Sequence, residues 1–122
     1  MNILIVEDNQ VLTFMLQRMV ERLGYQVMGM VTRGEEAVSI ASTKPCDLIL
    51  MDIMLLGEMD GIEAYEHIRE SKTIPVIYTT GNSDPHNRQR ASDLGFHDFL
   101  TKPISFQELT NSIERLKNGL NP

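Results

Sequence analysis

At 122 residues the chain has the length of one domain, enough for a single hydrophobic core and too short for two. Hydrophobic residues make up 42% and charged residues 23%, a globular balance that excludes a disordered chain. Eleven basic against seventeen acidic residues give a net charge of −6 at pH 7, which excludes the basic footprint of a nucleic-acid-binding domain.

The single cysteine, Cys46, rules out an internal disulfide and any multi-cysteine zinc site. Lying between Pro45 and the apolar run Leu48–Met51, it reads as a small buried hydrophobe. No apolar run approaches the ~20 residues of a membrane span, and the N-terminus lacks the regions of a signal peptide. A soluble cytoplasmic protein without membrane contact is the expectation.

In chain order, Asn2–Val6 is a short apolar run that stops at Glu7-Asp8-Asn9, the pattern of a strand buried on both faces with an acidic tip. Leu12, Met15, Leu16, Met19, Val20 and Leu23 then recur at three- and four-residue spacing, predicting a helix closed by Gly24. Met15, Met19 and Met51 all fall on stripes expected to be buried. Tyr25–Val31 predicts the second strand, and Thr32-x-x-Glu35 a capping box for a helix carrying Ala37, Val38, Ile40 and Ala41. Lys44-Pro45 stops that helix. Asp47–Asp52 predicts the third and most apolar strand, and the acidic first turn Asp60-Gly61-Ile62-Glu63 opens a helix through Ile68. Pro75–Thr79 predicts a fourth strand, Asp84-Pro85 a helix start, Gly95 its end, and Asp98–Thr101 a fifth strand. Ser105-x-x-Glu108 is a second capping box, leading a stripe of Phe106, Leu109, Ile113, Leu116 and Leu120.

Five strand–helix alternations imply an α/β fold of three layers, a doubly wound (βα)5 unit whose five-stranded parallel sheet is covered on both faces. One domain is expected over residues 1–118, with 119–122 as a frayed tail.

In such a sheet the site lies beyond the carboxyl ends of the strands. There the first strand offers Glu7 and Asp8, the third Asp52, the fourth Thr79-Thr80-Gly81, and the fifth Lys102-Pro103. Crowded carboxylates repel, and Mg2+, which takes one or two carboxylates with waters and phosphate oxygens, relieves them. Lys102 neutralises an incoming anion, and Thr80 donates a hydrogen bond to one of its oxygens. Asp52, ending the central strand, is the carboxylate positioned to become an acyl phosphate.

These segments together resemble the response-regulator receiver domain, the CheY-like phosphoacceptor module of two-component signalling, over essentially the whole chain. Ile3-Leu4-Ile5-Val6-Glu7-Asp8-Asn9 is similar to the family's acidic pair, and Leu48-Ile49-Leu50-Met51-Asp52-Ile53 to its phosphoacceptor strand. Pro75-Val76-Ile77-Tyr78-Thr79-Thr80-Gly81 is similar to its switch hydroxyl, with Thr80 chosen because it precedes Gly81, and Asp98-Phe99-Leu100-Thr101-Lys102-Pro103 to its terminal signature. The resemblance implies the flavodoxin-like strand order 2-1-3-4-5. It implies that Asp52 takes a phosphoryl group from a phosphohistidine on a histidine kinase or phosphotransfer protein. Asp8 and Asp52 would ligate Mg2+, or Mn2+ in its stead, with the Met54 main-chain carbonyl as a further ligand and Glu7 acting directly or through water. Thr80 and Lys102 would hold the phosphoryl oxygens, and the Lys102–Pro103 peptide would be cis. Phe99 fills the place of the aromatic switch: Thr80 is drawn inward and Phe99 turns into the space beside it. That reshapes the face of the fourth helix, fifth strand and fifth helix toward a downstream protein or an output domain. A phosphorylation-linked homodimer through that face fits the same reading, direct contact with nucleic acid does not, and the only catalysis expected is of the domain's own phosphorylation and dephosphorylation.

One segment departs from the family pattern. The loop Met54-Leu55-Leu56-Gly57-Glu58-Met59-Asp60-Gly61 lacks the usual proline and is one residue longer, with Glu58 read as a solvated acid. His67, His86 and His97 share no metal-ligand spacing. A haloacid-dehalogenase-type phosphatase would carry Asp-x-Asp, whereas Asp52-Ile53-Met54 lacks the second acid. No glycine-rich phosphate loop follows the first strand, which argues against a nucleotide-binding module. A phosphorylation-independent docking module is the alternative, disfavoured because every expected site residue type is present.

Overall fold

The computed structural model describes residues 1–81 and 84–120 and alternates strand and helix throughout. The strands are β1 (Asn2–Val6), β2 (Gln26–Val31), β3 (Leu48–Asp52), β4 (Val76–Thr80) and β5 (Asp98–Thr101). The helices are α1 (Gln10–Arg22), α2 (Gly34–Thr43), α3 (Gly61–Arg69), α4 (Pro85–Leu94) and α5 (Phe106–Leu120). The strands form one parallel sheet in the order β2-β1-β3-β4-β5, as the resemblance implied. Among the described residues no helix is long and apolar enough to cross a membrane.

Successive strand residues face opposite sides of the sheet, so the core has two halves. Leu4, Val6, Ile49, Met51, Val76, Tyr78 and Phe99 pack with Ala37, Ala41, Ile62, Tyr65, Ile68 and Ala91 under α2, α3 and α4. Ile3, Ile5, Leu48, Leu50 and Ile77 pack with Leu16, Val20, Leu109 and Ile113 under α1 and α5. Burial on both faces is why β1, β3 and β4 read as unbroken apolar runs.

The helix starts follow their caps. Asn9 accepts from the Leu12 amide at 3.1 Å, and Asp84 from the His86 amide at 2.8 Å ahead of Pro85. The Ser105–Glu108 box forms in both directions, at 3.3 and 3.0 Å, and Asp60 and Glu63 make a second full box at the start of α3. The expected Thr32–Glu35 box does not form. The N-cap of α2 is Arg33, without a side-chain cap, and the Thr32 hydroxyl donates to Glu36 instead, at 3.3 Å. The cause is Gly34, buried so tightly that a Cβ there would lie 3.1 Å from Ala64 and 3.2 Å from Met59, which pins the first helical residue one step later.

Met51 is buried and Met19 partly so, but Met15 is 42% exposed and sits at the rim of the α1 stripe, whose centre is Leu16 and Val20. Cys46 is half-buried against the core, donates to the Leu48 carbonyl, and burial pushes its thiol up. The helical backbone of α5 takes in Gly119 and Leu120. Asn121, Pro122 and the side chain of Leu120 lie outside the described residues.

Candidate functional site

Sheet register brings the predicted residues together. Val6 pairs with Met51, so the next residues, Glu7 and Asp52, emerge side by side. Asp52 pairs with Thr79 and Thr80 with Thr101, which puts Thr80 and Lys102 at the same end of the sheet. The Lys102 amide donates to the Thr80 carbonyl at 2.7 Å, joining the tips of β4 and β5, and the Lys102–Pro103 peptide is cis. At the tip of β1, the Asn9 amide donates to Glu7 Oε2 at 3.1 Å and the Thr13 hydroxyl to the Glu7 carbonyl at 3.3 Å, so α1 orients the acid it follows.

The Lys102 ammonium donates to Glu7 Oε1 at 2.7 Å and lies 3.4 Å from Asp52 Oδ2. Asp52 is 5% exposed. Burial first, and then the neighbouring Glu7 carboxylate, push its carboxyl up to about 7 against the opposing pull of Lys102. Burial works the same way on Glu7, but the Lys102 ammonium and the Asn9 amide hold it below the usual carboxylate range. Burial and Glu7 raise Asp8. Burial opposes the charge on Lys102, yet its two carboxylate partners keep its pKa above the ordinary value.

One carboxylate oxygen each from Glu7, Asp8 and Asp52 lies within 4.8 Å of the others. Oxygens on one octahedral Mg2+ stand roughly 3–4 Å apart at ~2.1 Å from the ion, so side-chain adjustments alone bring these hard donors into its shell. The residues present therefore fit a small divalent cation. Among the described residues no histidine or cysteine joins an acidic cluster of this kind.

Comparison with known proteins matches this geometry. The sequence profile described as the response regulator receiver domain matches residues 3–114. The chain belongs to that family. It is 34% identical over 115 residues to the alkaline phosphatase synthesis transcriptional regulatory protein PhoP of Bacillus subtilis (strain 168), covering 93% of this chain and 47% of that protein. It is 38% identical over 109 residues to the transcriptional regulatory protein HprR of Escherichia coli (strain K12), covering 89% and 48%. The chain thus spans about half the length of the curated relatives it matches. Among solved structures, the receiver domain of a modulated diguanylate cyclase from Desulfovibrio desulfuricans G20 superposes with a TM-score of 0.89 at 36% identity, over 99% of this chain and 98% of that one. The receiver domain of a sensor histidine kinase from Pseudomonas aeruginosa PAO1, with a magnesium ion coordinated in its active-site cleft, gives 0.84 at 35% identity, over 93% and 94%. As a receiver domain of two-component signalling, the chain is a phosphorylation-dependent switch.

Two features of this receiver differ from the sequence expectation or extend it. Phe99, expected to turn inward on phosphorylation, is already inside at 7% exposure. Its ring centroid is 6.0 Å from Tyr78 and 5.7 Å from Phe96, and the Arg88 guanidinium lies 4.8 Å above it. Aromatic packing with a cationic cover favours that buried position. The long proline-free loop is anchored at its middle and at its far end. Leu56 forms a parallel bridge with Arg33, and Asp60 is gripped by Arg90 of α4, with Nη1 to Oδ2 at 2.9 Å and Nη2 to Oδ1 at 3.4 Å. Neither arginine carries a sequence signal, because each meets its partner from a separate element more than twenty residues away. Glu58 is exposed on this loop, and Met54, whose carbonyl was expected among the metal ligands, begins it with its side chain exposed.

Proposed function

We propose that Asp52 is the phosphoryl acceptor of this receiver, taking the group from a phosphohistidine of a kinase or phosphotransfer protein in the cytoplasm. The observation that carries the reading is the meeting of Glu7, Asp8 and Asp52 within 4.8 Å, with Lys102 bridging two of them. Glu7, Asp8, Asp52 and the Met54 carbonyl would hold Mg2+, which when bound neutralises the acids and the incoming phosphoryl oxygens. A carboxylate oxygen of Asp52 attacks phosphorus, the phosphorus–oxygen bond forms as the phosphorus–nitrogen bond of the donor breaks, and the departing imidazole takes a proton. Lys102 keeps its short contact to Glu7 and exchanges its longer contact to Asp52 for a phosphoryl oxygen. The Thr80 hydroxyl, buried at the end of β4, donates to another oxygen.

The surface around the site supports a protein donor. Phe14 of α1 and Met30 of β2, both exposed, line one hollow together with Glu7, and Met54 and Leu56 are exposed on the loop that follows Asp52. An apolar rim of this kind suits a folded partner rather than a small phosphate ester. On the opposite side, with Phe99 already buried, movement of Thr80 passes to the α4–β5–α5 face through the packed Tyr78 and Phe99 rings. That face would engage the downstream protein, an output domain, or a second copy of the chain.

Intact mass after incubation with Mg2+ and acetyl phosphate tests the reading. The expected result is a Mg2+-dependent gain of ~80 Da, one phosphoryl group, that is absent in Asp52→Asn. No gain, together with no response of the amide spectrum to beryllofluoride and Mg2+, would overturn it.

A further inference from the structure

Helix α4 is held to the fold largely by polar contacts. Of its ten residues, Pro85 to Leu94, Ala91 is the buried one, with Leu94 packed partly against the core. Its ties to α3 are made by arginines at both ends. Arg69 of α3 donates to the Leu94 carbonyl at 2.9 Å, and Arg90 of α4 clasps Asp60 with both terminal nitrogens while Asn87 Oδ1 steadies Nη1 at 3.0 Å. The Asp60–Arg90 pair is partly shielded, with side chains 25% and 31% exposed, and its two-point geometry gives orientation as well as attraction.

Asp60 is also the N-cap of α3, with Oδ1 accepting from the Glu63 amide at 2.8 Å. The next residue, Gly61, donates its amide to the Ile53 carbonyl at 2.8 Å, and a Cβ on Gly61 would stand 2.1 Å from the Asp52 carbonyl oxygen. The first turn of α3 therefore fixes the backbone of Asp52 and Ile53, directly before the Met54 carbonyl. Loop 54–60 has no proline to stiffen it. Its middle is secured by the Leu56–Arg33 bridge and by Gly57, whose φ of +96° sets it beside the Arg33 guanidinium. Its far end is secured to α4 through Asp60.

We propose that Arg90 is a positioning residue for the Asp52 site: its grip on Asp60 fixes the end of loop 54–60 and makes Mg2+ binding and phosphoryl acceptance depend on where α4 sits. This rests on the phosphoacceptor reading above. Because coupling between sites is reciprocal, a partner that draws α4 away from α3 weakens the Mg2+ site, and Mg2+ in the site tightens α4 on α3.

The test is Mg2+ titration of the full chain, read from the amide resonances of residues 52–61, with hydrogen exchange of the loop and α4 measured alongside. Arg90→Met is expected to raise the half-saturating Mg2+ concentration roughly three- to tenfold and to speed exchange in the loop. Arg90→Lys, which keeps the charge but loses the second contact, recovers part of the difference. Gln89→Ala, an exposed α4 change that leaves Asp60 untouched, keeps the wild-type value. Asp60→Asn retains the cap oxygen and removes the charge, so it decides the matter if Arg90→Met fails to fold. Wild-type Mg2+ affinity and loop exchange in the folded variants would overturn the proposal and leave Asp52 as phosphoacceptor. A wild-type chain whose resonances ignore Mg2+ would overturn both.

Discussion

Replacing Asp52 with Asn removes the proposed phosphoacceptor and, by the electrostatics of the site, stabilises the metal-free receiver at pH 8. Asp52 is nearly buried beside Glu7, and its carboxyl is lifted from the usual 3.8 to about 7. A folded-state pKa above the unfolded value means that the folded chain binds more protons between about pH 4 and pH 7. The stability contributed by the neutral carboxyl is complete below that window, declines as pH rises through it, and is gone above pH 7. Roughly three pH units at ~1.4 kcal/mol each put the penalty of the ionised, metal-free site on the order of 4 kcal/mol. Asparagine escapes this penalty but costs Lys102 its 3.4 Å partner while leaving the 2.7 Å contact to Glu7. Allowing about 1–2 kcal/mol for that loss leaves a net gain of about 2 kcal/mol at pH 8, which turns into a net loss of about 1–2 kcal/mol below pH 4, where no ionisation penalty remains to be relieved.

Thermal or urea unfolding in EDTA at pH 5 and pH 8 measures the difference. About 2 kcal/mol corresponds to roughly 6–10 °C in Tm for a domain of this size. Mg2+ acts in the opposite sense, stabilising the wild type by ~2.7 kcal/mol at a hundred times its Kd and the variant by much less, so the gap closes when the ion is added. A variant less stable than the wild type at pH 8 in EDTA, or a difference that does not change between the two pH values, would refute the reasoning.

Two packing predictions follow from other parts of the structure. Gly61→Ala forces a methyl group to within 2.1 Å of the Asp52 carbonyl oxygen and 2.8 Å of Met51 Cγ, both fixed in the core. It is expected to cost at least about 2 kcal/mol in urea unfolding and to shift the Asp52 amide resonance, and a neutral result would mean that α3 is not seated against Asp52. Tyr78 is fully buried and its hydroxyl lacks a hydrogen-bond partner among the described residues. Tyr78→Phe is therefore expected to be neutral or stabilising by about 1 kcal/mol, and a loss of stability of that size would show that the hydroxyl is satisfied in solution.

Much of the fold was legible because its central strands are buried on both faces and four of its five helices start at side-chain caps. Apolar runs ending in Glu7, Asp52 and Thr80 gave the strand tips, and Asp84 and Ser105 marked helix starts by local hydrogen bonding. The parallel register then made the site legible too, since residues just past paired strand ends must gather at one edge. Where the reading failed, a distant contact had outweighed a local rule. Gly34 against Ala64 and Met59 moved the start of α2 past the Thr32 cap, and the position of α1 left Met15 at the margin of its stripe. The burial of Phe99 depends on Phe96, Tyr78 and Arg88 closing over it, and the Arg90–Asp60 grip joins residues thirty apart in sequence. Spacing carries no trace of either.

The charge arrangement explains why such a site responds to phosphorylation. With Glu7, Asp8 and Asp52 ionised, Lys102 leaves it two negative charges in excess, which is the count a divalent cation cancels. Conversion of Asp52 to an acyl phosphate, as proposed above, would then add about one further negative charge near neutral pH. Lys102 has one contact to spare, the 3.4 Å approach to Asp52, while its 2.7 Å contact to Glu7 and the 2.7 Å tie of its amide to the Thr80 carbonyl persist. On the phosphoacceptor reading proposed above, the added charge would be met by the Thr80 hydroxyl and the Lys102 ammonium, and the hydrogen bond from the Lys102 amide to the Thr80 carbonyl would make the tips of β4 and β5 move as one. A local charge imbalance at Asp52 would thereby become a displacement of the two strand ends that border the α4–β5–α5 face.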